Sequence, residues 1–538
     1  MLAAVRRWFA DNILELGRAM RLSYLPPLLV YVAAGLSGLT EIVGTFFVKE
    51  YLGLSAAFLA ALGFWAGIPW ALKMPLGHLV DLIWRHKAGL VWLGAGLITT
   101  SLLIMLGLVA QPLRMGELMS IEAWFVVATL LSPVGYVLQD VVADAMTVEA
   151  VPRVDEHGQP LPPEKRRLMN TTLQTLGRIA IIAGGILVSL VNVFMFEGTE
   201  TLAKEAKAAI YAEVFGMALV IPAISVAGVL LASLLQRCDA RRLRARETSL
   251  YGKPEPAPPP VRPDAWILGG SAVFVAISLS VGLSRLAFGE EIIFAGSFAV
   301  IAFLMAKLLR ELDVESRRTL LGTAIMIFVF RAMPGPGAGS TWWMIDVLGF
   351  DQSFLAQLSL IASVLTLFGL FAFRRFMGER SIAYIIGFLT LTDALLSLPT
   401  LGMYFGLHEW TAAHTGGVVD ARFIALIDTA LESPLGQIAM VPMLAWIANS
   451  APANLKATYF AVMASFTNLA LSAAQLGTKY LNQFFEVSRE IRDPLTHALK
   501  VPADYSQLGA LLTLSIVISL ILPFAAIWVT QRLKLRSA

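Results

Sequence analysis

The chain has 538 residues, 57% of them hydrophobic and only 15% charged, and a mean hydropathy of +0.72 excludes a soluble globular body. A formal net charge of +3 is too small to point to nucleic acid, and the single cysteine, Cys238, excludes an intrachain disulfide framework. Apolar stretches of about 20 residues recur from end to end, which is the length a helix needs to cross a lipid bilayer.

Residues 1–25 place Arg6, Arg7, Arg18 and Arg21 among Trp8, Phe9, Ile13 and Leu16, without the apolar core and small-residue cleavage site of a signal peptide. They read as a basic amphipathic segment on the membrane surface. Six spans are predicted next, at 26–49, 57–80, 88–110, 121–148, 167–194 and 210–236, forming an N-terminal bundle over 26–236. Residues 237–263 read as a linker, in which the basic cluster Arg241, Arg242, Arg244 and Arg246 precedes the proline-rich run from Pro254 to Pro260. A helix pair at 264–287 and 291–310 makes up an inserted unit over 264–318. Spans at 319–346, 353–375, 381–405, 420–449, 456–485 and 505–531 complete a C-terminal bundle over 319–531, followed by a tail at 532–538. Fourteen spans leave both termini on one side, and the segments on that side carry most of the 41 Lys and Arg. The positive-inside rule makes that side cytoplasmic.

Two internal matches organise the spans. Tyr51-Leu52-Gly53-Leu54-Ser55 followed by Phe58-Leu59-Ala60 recurs as Val347-Leu348-Gly349-Phe350-Asp351 followed by Phe354-Leu355-Ala356, at a constant offset of 296 residues. Ser132-Pro133-Val134-Gly135 recurs as Ser433-Pro434-Leu435-Gly436. The expected fold is therefore all-α, two six-helix halves with an inserted pair between them. Parallel repeats of this kind are the build of major-facilitator transporters.

Charges inside the spans carry the chemistry. An ionised side chain in hydrocarbon costs several kcal/mol unless it faces a bundle interior or water, so each is a functional candidate. Asp140 and Asp144 lie four apart on span four and share a helix face. Arg178 stands about 16 Å from the start of span five and Asp140 about 13 Å from the end of span four, a matching depth that predicts an ion pair. Asp144 and Glu149, shallower, are expected to meet Lys73 or Arg153. In the other half, Arg331, Asp393 and Glu432 fall near the middles of their spans, and Met333-Pro334-Gly335-Pro336-Gly337-Ala338-Gly339 cannot stay a regular helix. A broken helix at membrane depth marks a binding site or a gating hinge. The offset maps Glu41 onto Gly337. Trp342-Trp343 reads either as a ring platform for an aromatic solute or as an interface belt, with the belt preferred. No histidine pair has metal-ligand spacing and no phosphate-cradling glycine loop is present, so no cofactor is expected.

Gly77-His78-Leu79-Val80-Asp81 followed by Arg85-His86-Lys87 resembles the major-facilitator loop signature, which implies a gating latch formed by Gly77, Asp81 and Arg85, with Glu149 beside it. Asp140-Val141-Val142-Ala143-Asp144-Ala145 followed by Val148-Glu149, Ile68-Pro69-Trp70-Ala71-Leu72-Lys73, and the stretch from Pro442 to Lys479 are similar to the folate–biopterin transporter family within the major facilitators. That resemblance implies a secondary transporter, not an enzyme, moving an anionic folate or pterin with protons in a bacterial-type inner membrane, as a monomer. Glu41, Asp140, Asp144 and Glu432 are the coupling candidates. Lys73, Arg178 and Arg331, with Gly337, Asp393 and Gln437, are the solute-binding candidates. A more distant resemblance of the span-four motif is to the muropeptide permeases, and an assembly factor or sensor that keeps the fold without transporting is the reading from another class.

Overall fold

Span one is built in two pieces. Pro26 and Pro27 stand in the first turn of the helix Leu25–Leu36, where a missing N–H costs nothing, and a tighter turn at Ser37–Thr40 separates it from a second helix, Glu41–Tyr51. Span nine does the same. Asp313 caps the helix Val314–Arg331 by accepting from the Ser316 N–H, the chain leaves helical geometry at the Pro and Gly run, and Ala338–Asp346 resumes it. The offset of 296 carries Glu41 onto Gly337, the residue that starts the second piece of span nine, so the two halves break at equivalent points.

This computed structural model describes residues 20–536 apart from 53, 72, 84–85, 152–160, 200–201, 203, 245–264, 284–285, 287, 311–312, 437, 439–455 and 493–498. The expected amphipathic N-terminal helix, most of the linker, Arg85, Arg153 and Gln437 lie outside the described residues. Among the described residues, ten helical stretches are long and apolar enough to cross a membrane. The expected spans that do not meet that measure are seven, nine, twelve and thirteen. Span nine is divided by its prolines, the described helix of span twelve is the short Ala421–Glu432, and span seven (Ala265–Leu283) and span thirteen (Lys456–Phe484) are continuous helices. Span six extends past its expected end at 236, as the pair Lys204–Ala218 and Val220–Arg244. A small antiparallel ribbon, Ile491–Arg492 with Leu499–Val501, lies between spans thirteen and fourteen, where no strand was expected.

Small residues set the closest crossings, as is usual where apolar burial gives no driving force between helices. A Cβ on Gly35 of span one would sit 2.1 Å from the Ile181 carbonyl oxygen of span five. Between the halves, span two packs on span thirteen and span five on span ten. Ser189 and Ser359 hydroxyls are 2.9 Å apart across that second seam, and Gln352 Nε2 donates to the Tyr211 hydroxyl at 2.7 Å. Asn468 Nδ2 donates to the Trp70 carbonyl across the first seam at 3.2 Å.

The inserted pair, Ala265–Leu283 and Gly289–Leu309, lies over the seam between spans two and thirteen. Phe274 and Ile293 share one apolar cluster with Phe64 and Ile68 of span two and Leu476 of span thirteen. At its hinge Glu290 accepts from Trp65 Nε1 at 3.3 Å and from Lys479 at 3.2 Å, while Glu291 holds Lys479 at 3.0 Å and accepts from the Tyr480 hydroxyl. One carboxylate thus touches both halves.

Candidate functional site

Pro69 sits inside the helix Ala56–Ala71, and a second helical stretch, Lys73–Leu82, carries span two onward beside the continuous helix Ile121–Ala150 of span four. Lys73 thereby meets both acids of span four, with Nζ 2.6 Å from Asp140 and 2.8 Å from Asp144. The Tyr31 hydroxyl of span one donates to the other oxygen of Asp144 at 2.8 Å. Its ring lies so close to span five that a Cβ on Gly177 would be 2.9 Å from it. Both oxygens of Asp144 are therefore occupied by donors. The i, i+4 spacing on a straight helix aims the two carboxylates at one ammonium.

The structure corrects the expected pairing of Asp140 with Arg178. Lys73 takes the acid, and Arg178 lies within electrostatic reach of Asp140 and of Tyr31 without a direct ion pair. Equal depth placed the two on facing levels. Lys73 wins because span two presents its ammonium between the acids. Lys73, Asp140, Asp144 and Arg178 together carry no net charge. Glu149 meets Lys87 at 2.5 Å, which ties the end of span four to the loop before span three. Gly77 lies in the helix Lys73–Leu82 with open space where a Cβ would stand, and Asp81 lies on the same helix.

The C-terminal half is arranged differently. Arg331 ends the first piece of span nine and lies within electrostatic reach of Arg178 in the opposite half. The backbone freed by the break is satisfied from spans thirteen and fourteen: Gly335 N–H donates to Thr478 Oγ1 at 3.0 Å, the Pro336 carbonyl accepts from Asn482 at 3.1 Å, and the Pro334 carbonyl accepts from Ser515 at 2.9 Å. Gly337 adopts φ +74°, and a Cβ there would stand 2.7 Å from Asn482 Nδ2. Trp342 and Trp343 are both buried, which overturns the expected interface belt. Trp343 packs on Tyr404, and Trp342 lies under the guanidinium of Arg489.

Asp393 of span eleven and Glu432 of span twelve lie in electrostatic reach of each other, and Asp428 joins Glu432. None of the three makes an ion pair among the described residues. Glu41 is exposed at the start of the second piece of span one, away from the Lys73 cluster. Sequence reasoning missed Tyr31, Asp428, Lys49 and Arg489. The i, i+4 relation of Asp428 to Glu432 is the same signal that exposed Asp140 and Asp144 and was there to be read. A lone tyrosine in an apolar helix gives no such signal. No cluster of His, Cys, Asp and Glu fit to hold a metal occurs among the described residues.

The model of the BT1 family matches residues 34–534. A folate-biopterin transporter of Synechocystis sp. (strain ATCC 27184 / PCC 6803 / Kazusa) is 23% identical over 522 residues, covering 96% of this chain and 83% of the relative. Among solved structures, the peptide transporter POT superposes with a TM-score of 0.58 at 16% identity, covering 96% of this chain and 95% of the other. The same transporter in complex with alafosfalin gives 0.56 at 16%, covering 97% and 96%. These similarities show the fold. The chain belongs to the BT1 family, and is a multi-span membrane transporter, not an enzyme.

Proposed function

We propose that the protein moves an anionic organic solute of the folate or pterin class together with protons, by alternating access between two six-helix halves in a fourteen-span plan with both termini cytoplasmic. The observation that carries this reading is that Arg178 in one half and Arg331 in the other lie within electrostatic reach of each other. Two cations within such reach repel, and an anion between them turns that repulsion into attraction. Solute binding then draws the halves together at the level of the broken spans. Lys73 serves the fold by neutralising Asp140 and Asp144, and it enters the cycle when a proton takes its place on one of them. Asp144 and Glu432 are the coupling acids of the two halves. Asp393 and Gly337 line the solute side of the C-terminal half.

The relative's name, folate-biopterin transporter, supports the substrate class. The test is a thermal-shift screen of purified protein against folates, pterins and anhydro-muropeptides, since a ligand that binds the folded state raises its stability by mass action. It is followed by uptake into proteoliposomes under an imposed pH difference. Stabilisation by folates or pterins and uphill accumulation are expected. Stabilisation by muropeptides alone moves the substrate class, and solute exchange without accumulation removes the proton.

A further inference from the structure

The second pieces of spans one and nine touch at their C-terminal ends. Lys49, in the last turn of Glu41–Tyr51, reaches Asp346, the last residue of Ala338–Asp346, at 2.5 Å. The Tyr505 hydroxyl donates to the other oxygen of Asp346 at 2.5 Å. Asp346 is thus held by one partner from the opposite half and one from its own.

Beside this contact stands a cation with nothing to hold. Arg489, in the segment between spans thirteen and fourteen, is 2% exposed, and among the described residues none of its three guanidinium nitrogens finds a hydrogen-bond acceptor. Its guanidinium lies over the Trp342 ring, 4.6 Å from the centroid. Trp342 is one helical turn before Asp346 on the same short helix, so the ring and the carboxylate share a face. Burial pushes the guanidinium down to about 10 while Tyr505 and Asp346 pull the other way, and it remains cationic at neutral pH. A buried charge without a hydrogen-bonded partner is expensive, and a ring face returns only part of that cost.

We propose that Arg489 is the stand-by partner of Asp346: when the halves part on this face, Lys49 leaves with span one and Arg489 takes the carboxylate, so the contact is a two-position switch. The exchange keeps the number of ion pairs constant. Lys49, already near the surface, passes to water, and the cation stranded in the closed state becomes paired in the open one. Opening therefore costs less than the loss of the ion pair alone. Arg489 acts through Asp346 and is a positioning residue for the gate.

The proposal rests on alternating access and needs no knowledge of the solute. In a Cys238→Ser background, Ser189→Cys places a thiol in the seam, at a site 1% exposed in the closed arrangement. An impermeant maleimide applied from the Lys49 face of intact cells reads how often that face opens. Lys49→Gln should raise the labelling rate several-fold, Arg489→Gln should lower it several-fold, and Arg489→Lys should leave it near the parent. Purified Arg489→Gln should also melt no lower than the parent, since it loses a cation that has no acceptor in the closed state. Labelling of Arg489→Gln at or above the parent rate, or a lower melting temperature, overturns the proposal. If Lys49→Gln leaves the rate unchanged, the Lys49–Asp346 contact does not hold this face closed and the proposal falls; a seam thiol labelled in neither the parent nor any variant counts against alternating access instead.

Discussion

In the N-terminal half two half-buried acids share one lysine and a tyrosine, whereas in the C-terminal half Asp393, Asp428 and Glu432 stand near one another with no cation on any of them among the described residues. A proton entering the first cluster at Asp144 must displace Lys73 or Tyr31 from the carboxylate, while a proton entering the second displaces no cation among the described residues. The halves also break their first spans differently. The turn in span one is a tightened helix at Ser37–Thr40, but span nine opens fully and has its backbone satisfied by Thr478, Asn482 and Ser515. Sequence repetition has kept the position of the break and released the chemistry around it. At these two sites the N-terminal half is held by ion pairs, and the C-terminal half by side-chain hydrogen bonds to its opened backbone.

The comparison breaks first at Lys73. Lys73→Met leaves the half-buried Asp140 and Asp144 without their shared cation, a loss below the roughly 3–5 kcal/mol of breaking a fully buried pair. Expression and melting temperature should fall sharply, and Asp140→Asn in the same chain should recover part of the loss. Equal stability of parent and Lys73→Met would show that the cluster is not a lock.

The two coupling acids can then be set against each other in proteoliposomes. Asp144→Asn mimics the protonated acid, so it should abolish accumulation driven by a pH difference yet leave solute exchange intact. Glu432→Gln should do the same if both halves carry a proton. If one mutant still concentrates solute, coupling lies in the other half.

Gly337→Ala tests the second kind of break. Its positive φ and the 2.7 Å approach to Asn482 make the substitution cost about 1–3 kcal/mol. Gly38→Ala in span one meets only ordinary contacts at 3.7 Å and 4.0 Å and should shift stability by no more than about 0.5 kcal/mol. Parallel melting curves in detergent compare the two, and a larger loss at Gly38 would reverse the assignment of the rigid break to span nine.

A smaller effect than at Gly337 is expected at the inserted pair. Trp65→Phe removes the N-terminal half's hydrogen bond to Glu290 and should cost about 0.5–1.5 kcal/mol while Lys479 keeps its acids. A thermal shift beyond that range would mean that the hinge of the pair clamps the seam more strongly than its polar contacts imply.

By itself the sequence determined the helical membrane architecture, the repeat, the interruption of span nine and the acids of span four, because each rests on local properties: apolar run length, a constant offset, missing backbone donors, and i, i+4 spacing. Depth along a helix was legible too, and it put Arg178 at the level of Asp140. Which cation closes on that acid was decided by tertiary structure, since depth says nothing of rotation, and Lys73 is the one that span two turns inward. The burial of Trp342 and Trp343 was decided in the same way, by the return of the segment after span thirteen over the end of span nine. So were Tyr31 against Asp144 and Lys49 against Asp346, contacts between residues more than a hundred positions apart that no spacing along the chain encodes.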